Sequence, residues 1–74
     1  MDWMEAKKAF AAQVPVVYHP MGGGPIVCTR LAEIGLRCTR DGKVIQVCGG
    51  MDRNENCIYH AAPENFTLAE GVAL

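Results

Sequence analysis

Four cysteines and two histidines are the residues of this chain best suited to chemistry. Cys28, Cys38, Cys48 and Cys57 recur at nearly even intervals, and with His19 and His60 they supply donors enough for a zinc ion. Structural zinc sites, however, draw ligands in close pairs such as Cys-x2-Cys, and no such pair occurs here. The spacing instead favours four small thiols, buried or half-buried. No residue stands out as a nucleophile with a base and an orienting partner. The sequence therefore predicts a protein that is not an enzyme and needs neither metal nor cofactor.

A second set of residues suits an anion. Gly22, Gly23 and Gly24 lie between Pro20 and Pro25, where a floppy middle with stiff shoulders can present backbone N–H groups to a phosphate. The loop lacks the Lys-Ser/Thr ending of a P-loop, and no helix is expected after it. Arg30 and Arg37 follow on the next strand, and both suit phosphate oxygens. Tyr18, His19, Tyr59 and His60 offer rings on which a base can stack.

Short elements must position these groups. Residues 2 to 12 read as an amphipathic helix: Asp2 caps it, Glu5 returns the hydrogen bond, and Trp3, Ala6, Phe10 and Ala11 recur at helical spacing. Pro15 ends the helix and a first strand runs from Val14 to His19. From Ile26 to Arg40 the even positions are mostly apolar and the odd ones largely polar. That is one long strand, with Gly35 as its bend.

Asp41-Gly42 is the strongest local signal, read as a two-residue turn with positive φ at both positions. Such a turn sets Cys38 against Ile45, Leu36 against Val47 and Ile34 against Gly49, with Cys28 and Cys38 inward. A second hairpin turns through Asp52-Arg53-Asn54-Glu55-Asn56 and sets Met51 against Ile58 and Gly49 against His60. Met51, Ile58 and His60 then face inward, while Cys48, Gly50, Cys57 and Tyr59 face outward. After Pro63 a single helical turn leads into a last strand, Phe66 to Leu68, and residues 69 to 74 form a frayed tail.

The whole is one domain, residues 1–74, mainly β within the α+β class. It reads as a short N-terminal helix followed, over residues 14–68, by a small, twisted, antiparallel SH3-like barrel of about five strands. Half the residues are hydrophobic, yet the aromatics are one Trp, two Tyr and two Phe, so the core is aliphatic. A net charge of −1 argues against binding duplex nucleic acid. No apolar run reaches the roughly 18 residues of a membrane span, and the N-terminus lacks the pattern of a signal peptide. A cytoplasmic protein with reduced cysteines is expected.

Six short motifs carry a resemblance. They are Glu5-Ala6-x-x-Ala9-Phe10, Pro15-Val16-Val17-Tyr18, Arg30-Leu31, Asp41-Gly42-Lys43-Val44-Ile45, Met51-Asp52-Arg53-Asn54 and Ala62-Pro63-Glu64. In this order the chain resembles small proteins of Firmicute phages and prophages. The resemblance implies an SH3-like barrel and a mobile-element origin, and it implies no activity. Gly22 to Gly24, Gly49-Gly50 and His60 depart from the pattern, and glycine lets a ligand approach backbone closely.

These features favour a non-catalytic phage binding protein, acting in the host cytoplasm as a homo-oligomer. It would sequester a small nucleotide-like anion at a subunit junction as a counter-defence device. The alternative is an inhibitor that binds a host defence protein through a strand edge or its outer sheet face. A structural zinc domain and a single-stranded nucleic-acid binder are further alternatives.

Overall fold

The Asp2 carboxylate accepts a hydrogen bond from the Glu5 N–H at 2.8 Å, and the Glu5 carboxylate accepts one from the Asp2 N–H at 3.3 Å. This reciprocal cap starts α1 (Trp3–Ala12) where the sequence places it, in a computed structural model that describes residues 1–74. The helix stops because Gln13 turns into the left-handed region, φ 55°, two residues before Pro15. The Gln13 side chain then donates to the carbonyls of Phe10 and Leu31, which fastens the helix end to the sheet beneath. Ala6 and Ala9 are the residues it buries.

Six strands follow: β1 (Val16–Tyr18), β2 (Ile26–Cys28), β3 (Arg30–Cys38), β4 (Val44–Met51), β5 (Ile58–Ala61) and β6 (Phe66–Leu68). They form two antiparallel three-stranded sheets, ordered β2-β1-β6 and β3-β4-β5. The fold is thus a small α+β protein, and no strand pairing closes the sheets into a barrel. The single strand expected from Ile26 to Arg40 is divided at Thr29. There the chain passes from one sheet to the other, and the Thr29 N–H donates to the Met51 carbonyl at 2.9 Å. The irregularity in β3 lies between Leu31 and Glu33 and not at Gly35.

Val16, Cys28, Leu31, Cys48 and Phe66 meet Ala6 and Ala9 in the core. Gly50 of β4 faces Cys28 of β2 and Phe66 of β6 on the other sheet. A Cβ placed on it would lie 2.8 Å from both Cys28 Sγ and Phe66 Cε1. Only a bare backbone lets those side chains fill the space.

The first hairpin departs from expectation by one residue. Thr39 N–H donates to the Lys43 carbonyl at 2.8 Å and Gly42 N–H to the Thr39 carbonyl at 3.0 Å, so the loop is Arg40-Asp41-Gly42. Only Gly42 takes a positive φ, at +84°. The Thr39 hydroxyl donates to the Asp41 carboxylate and accepts from the Lys43 N–H, which holds a three-residue loop together. Cys38 therefore opposes Val44, Leu36 opposes Gln46 and Ile34 opposes Cys48.

A shift of one residue exchanges faces. On β4 this buries Cys48, expected outside. Cys38 keeps the face of Ile34 on β3, as expected, but is exposed because it lies on the arm beyond the core, like Leu36. Cys28 is buried and Cys57 exposed, as the sequence indicates.

The second hairpin keeps its expected register, Met51 with Ile58 and Gly49 with His60, and the Asp52 N–H donates to the Cys57 carbonyl at 3.1 Å. Its faces are nonetheless reversed, because β4 carries the first hairpin's shift. Gly50 and Tyr59 turn toward the core, and Ile58 and His60 away from it. The single helical turn expected after Pro63 is a 3-10 turn over Pro63–Asn65, one residue earlier, and strand β6 lies where the sequence predicts it. No helix is long and apolar enough to cross a membrane.

Candidate binding groove

The residues suited to a nucleotide are dispersed into separate local interactions. The Tyr18 and Tyr59 rings stack on each other, with centroids 5.5 Å apart, and Tyr18 also meets Phe66 at 5.2 Å. This aromatic cluster joins one sheet to the other, so both tyrosines already have partners for their faces. The Cys57 sulfur, hydrogen-bonded to the Tyr59 hydroxyl and then acting through its charge, pushes that hydroxyl above its ordinary value. His19 Nε2 lies 2.8 Å from Thr67 Oγ1 on the neighbouring strand. Arg30 reaches Glu55 at 3.7 Å, beside the second turn. Gly22, Gly23 and Gly24 form an exposed loop in which the Gly23 N–H donates to the Pro20 carbonyl.

His60 and Glu33 are paired across the outer face of the β3-β4-β5 sheet, with Nε2 2.7 Å from Oε2. Gly49 lies between them in register. The backbone access that its missing side chain provides is taken by the protein's own residues.

The thiols do not gather either. Burial pushes the Cys28 and Cys48 thiols up. Cys57 donates to the Asp52 carboxylate at 3.5 Å, at the opposite end of β4 from the exposed Cys38. No group of three or more His, Cys, Asp or Glu side chains is placed to hold a metal ion.

Two concave sites remain. A shallow one of ≈ 480 Å³ lies between the end of α1 and the C-terminal residues, lined by Lys8, Ala11, Ala12, Ala73 and Leu74. The other is a groove of ≈ 560 Å³ that two residues of the expected set reach. Val44, Ile45, Gln46 and Val47 form one wall, and Ala61 to Glu64 line the other side. Arg37 and His60, two residues of the expected set, also line it. The groove exists because β5 is shorter than β4. Pairing between them runs from Met51–Ile58 to Cys48–Ala61 and then ends, since Ala62-Pro63 leads into the 3-10 turn.

Backbone alternation gives this groove its chemistry. Lys43 bonds to Thr39, so the odd residues of β4 direct their N–H and C=O groups to β3. Asp52 bonds to Cys57, so the even residues face the β5 side. Val44 and Gln46 therefore present backbone donors and acceptors to a slot in which no strand lies. Exposed apolar side chains frame the same stretch: Leu36 is 67%, Val44 65% and Ile45 43% exposed.

Sequence reasoning missed this slot, although one signal for it was present. Continuing the register of the second hairpin sets Pro63 against Gln46, and proline has no N–H with which to extend a ladder. A third strand shorter than the other two follows from that residue. The comparisons with family models, curated proteins and solved structures returned no match, so the groove's function rests on its geometry.

Proposed function

We propose that the protein is a non-catalytic binding module that takes an extended segment of a protein partner onto the free edge of β4. The observation that carries this is the stretch Val44–Val47, hydrogen-bonded to β3 on one side and facing a groove on the other. An added strand satisfies the N–H and C=O groups of Val44 and Gln46, and its side chains meet Val44 and Ile45. Arg37 and Glu64 line the groove with opposite charges, so its specificity favours a polar or mixed peptide flanking an apolar centre. In a phage setting, occupying a strand of a host defence protein in this way would inhibit it.

A second reading keeps the nucleotide-like anion. It is favoured by Arg37 and His60 lining one groove, and disfavoured by Glu64, which lines it too. It also makes less use of the apolar residues around the slot.

Selection of a random-peptide library on the immobilised protein separates the two, with Gln46→Pro as the counter-selection. Proline is tolerated at an edge position whose N–H faces outward, so the variant folds but cannot pair there. Strand addition predicts extended sequences retained by the wild type and lost on the variant. Titration with a nucleotide panel tests the anion reading. Edge-independent nucleotide binding with no enriched peptide would replace the first reading by the second.

A further inference from the structure

The free edge is also self-complementary, and we infer that its resident occupant is the same edge of a second copy of this chain. This rests on strand addition at Val44–Val47 and names the strand that is added. A two-fold antiparallel pairing must match residues whose backbone groups point outward, which here means Val44 and Gln46. Centring the axis on Val44 sets Gln46 against Gly42, whose N–H is already given to Thr39. Centring it on Gln46 sets Val44 against Cys48, whose edge is taken by Ala61. Centring it on Ile45 pairs Val44 of each copy with Gln46 of the other and uses every free group. One register fits, and it forms four intermolecular backbone hydrogen bonds.

Side chains agree with that register. The two Ile45 residues face each other at the axis as a close cross-strand pair, and each Val44 is shielded from water along its edge. Lys43 of one copy comes opposite Val47 of the other, which brings its ammonium into the groove that Glu64 lines. The groove supplies the room needed where that strand passes Ala62 and Pro63. An isolated two-stranded ribbon is marginal in water, so the arm beyond Gly35 gains from a third and fourth strand. Two three-stranded sheets then become one sheet of six.

Sedimentation equilibrium and cross-linking test the pairing. The wild-type chain is expected to be a dimer at high micromolar concentration. Ile45→Lys, which sets two like charges face to face at an exposed position, is expected to weaken it by about tenfold or more. With Cys38 and Cys57 replaced by serine, Ile45→Cys should oxidise to a disulfide-linked dimer, while Val27→Cys, exposed on the other sheet, should not. Circular dichroism confirms that each variant is folded.

A monomer at every concentration, or a dimer indifferent to both Ile45→Lys and Gln46→Pro, overturns self-pairing. If a monomeric protein still selects peptides that Gln46→Pro loses, strand addition stands and only the identity of the strand is wrong. If the monomer selects none, both fall.

Discussion

His60 on β5 and Glu33 on β3 touch at 2.7 Å although a whole strand separates their backbones. Two strand spacings span about 10 Å, and the side chains close that distance by lying over Gly49. A Cβ on Gly49 would lie 2.7 Å from Ile58 Cγ2, 3.1 Å from Glu33 Cβ and 3.3 Å from His60 Cδ2. The middle strand is bare so that its neighbours can meet.

Gly49→Ala should therefore cost about 1–3 kcal/mol of stability, the range for overpacking a tight site. Removing the pair itself by Glu33→Ala should cost less than about 1 kcal/mol, because both side chains are more than a third exposed. Gly35→Ala, with open space around it, should cost nothing. Urea unfolding of the three variants checks the order. An alanine at 49 tolerated as well as one at 35 would contradict the close packing.

On the opposite side of the same strand, Gly50 receives Cys28 and Phe66. Phe66 is fully buried between the sheets, so Phe66→Ala should lose about 3–5 kcal/mol. In a chain this short, that is enough to leave much of the population unfolded at room temperature. The thermal melt of the variant should be broad and shifted far down.

Thiol chemistry reports directly on the hairpin register. Cys38 and Cys57 are exposed, whereas Cys28 and Cys48 are buried and hold their protons more tightly than usual. A disulfide reagent under native conditions should label Cys38 and Cys57 quickly and the other two only as the protein opens. Mass spectrometry of the labelled peptides identifies them. Fast labelling at Cys48 would restore the two-residue turn.

Stability should fall at both ends of the pH range. At the alkaline end, burial raises Cys28 and Cys48 above the ordinary 9.0, and the Cys57 hydrogen bond raises Tyr59 above 10.0. Each folded value exceeds its unfolded one. The contribution is complete below pH 9.0 and is lost as pH rises through the folded values.

At the acid end, the Thr39 hydroxyl first, then backbone N–H groups, lower Asp41. For Asp52, desolvation acts upward, and the N–H groups of Asn54 and Asn56 outweigh it. Their contribution is present above pH 3.8 and is lost as pH falls through the folded values. Tm measured across buffers should show a plateau with two limbs. Asp41→Asn should flatten the acid limb, and Cys48→Ala the alkaline one.

What could be read from the chain is what local chemistry decides. Asp2 and Glu5 mark the helix start, Pro63 the 3-10 turn, and the four-residue tip before Cys57 the second register. What could not be read depends on partners distant in sequence. Asp-Gly suits both a two-residue turn and a three-residue loop, and the hydroxyl of Thr39 settles the choice. The break at Thr29 reflects two sheets competing for one stretch, which periodicity alone does not reveal. Of the candidate site, Arg37 and His60 reach a common groove, whereas Tyr18 and Tyr59 find each other and Arg30 finds Glu55. Side chains that suit a ligand also suit neighbours, and only the tertiary fold says which they meet.

The irregularity between Leu31 and Glu33 has a bearing on how this chain can change length. It advances the alignment of β3 on β4 by one position, so that Leu31 and Ile34, of opposite parity, both point to the interior. Ala32 has no partner on β4, so losing it would leave Leu31 against Gly50 and Glu33 against Gly49 with their faces unchanged. Losing a residue from the Arg40–Gly42 loop would likewise leave Thr39 against Lys43. Length changes in any lineage that keeps its interior intact should consequently collect at these two points, each without need of the other.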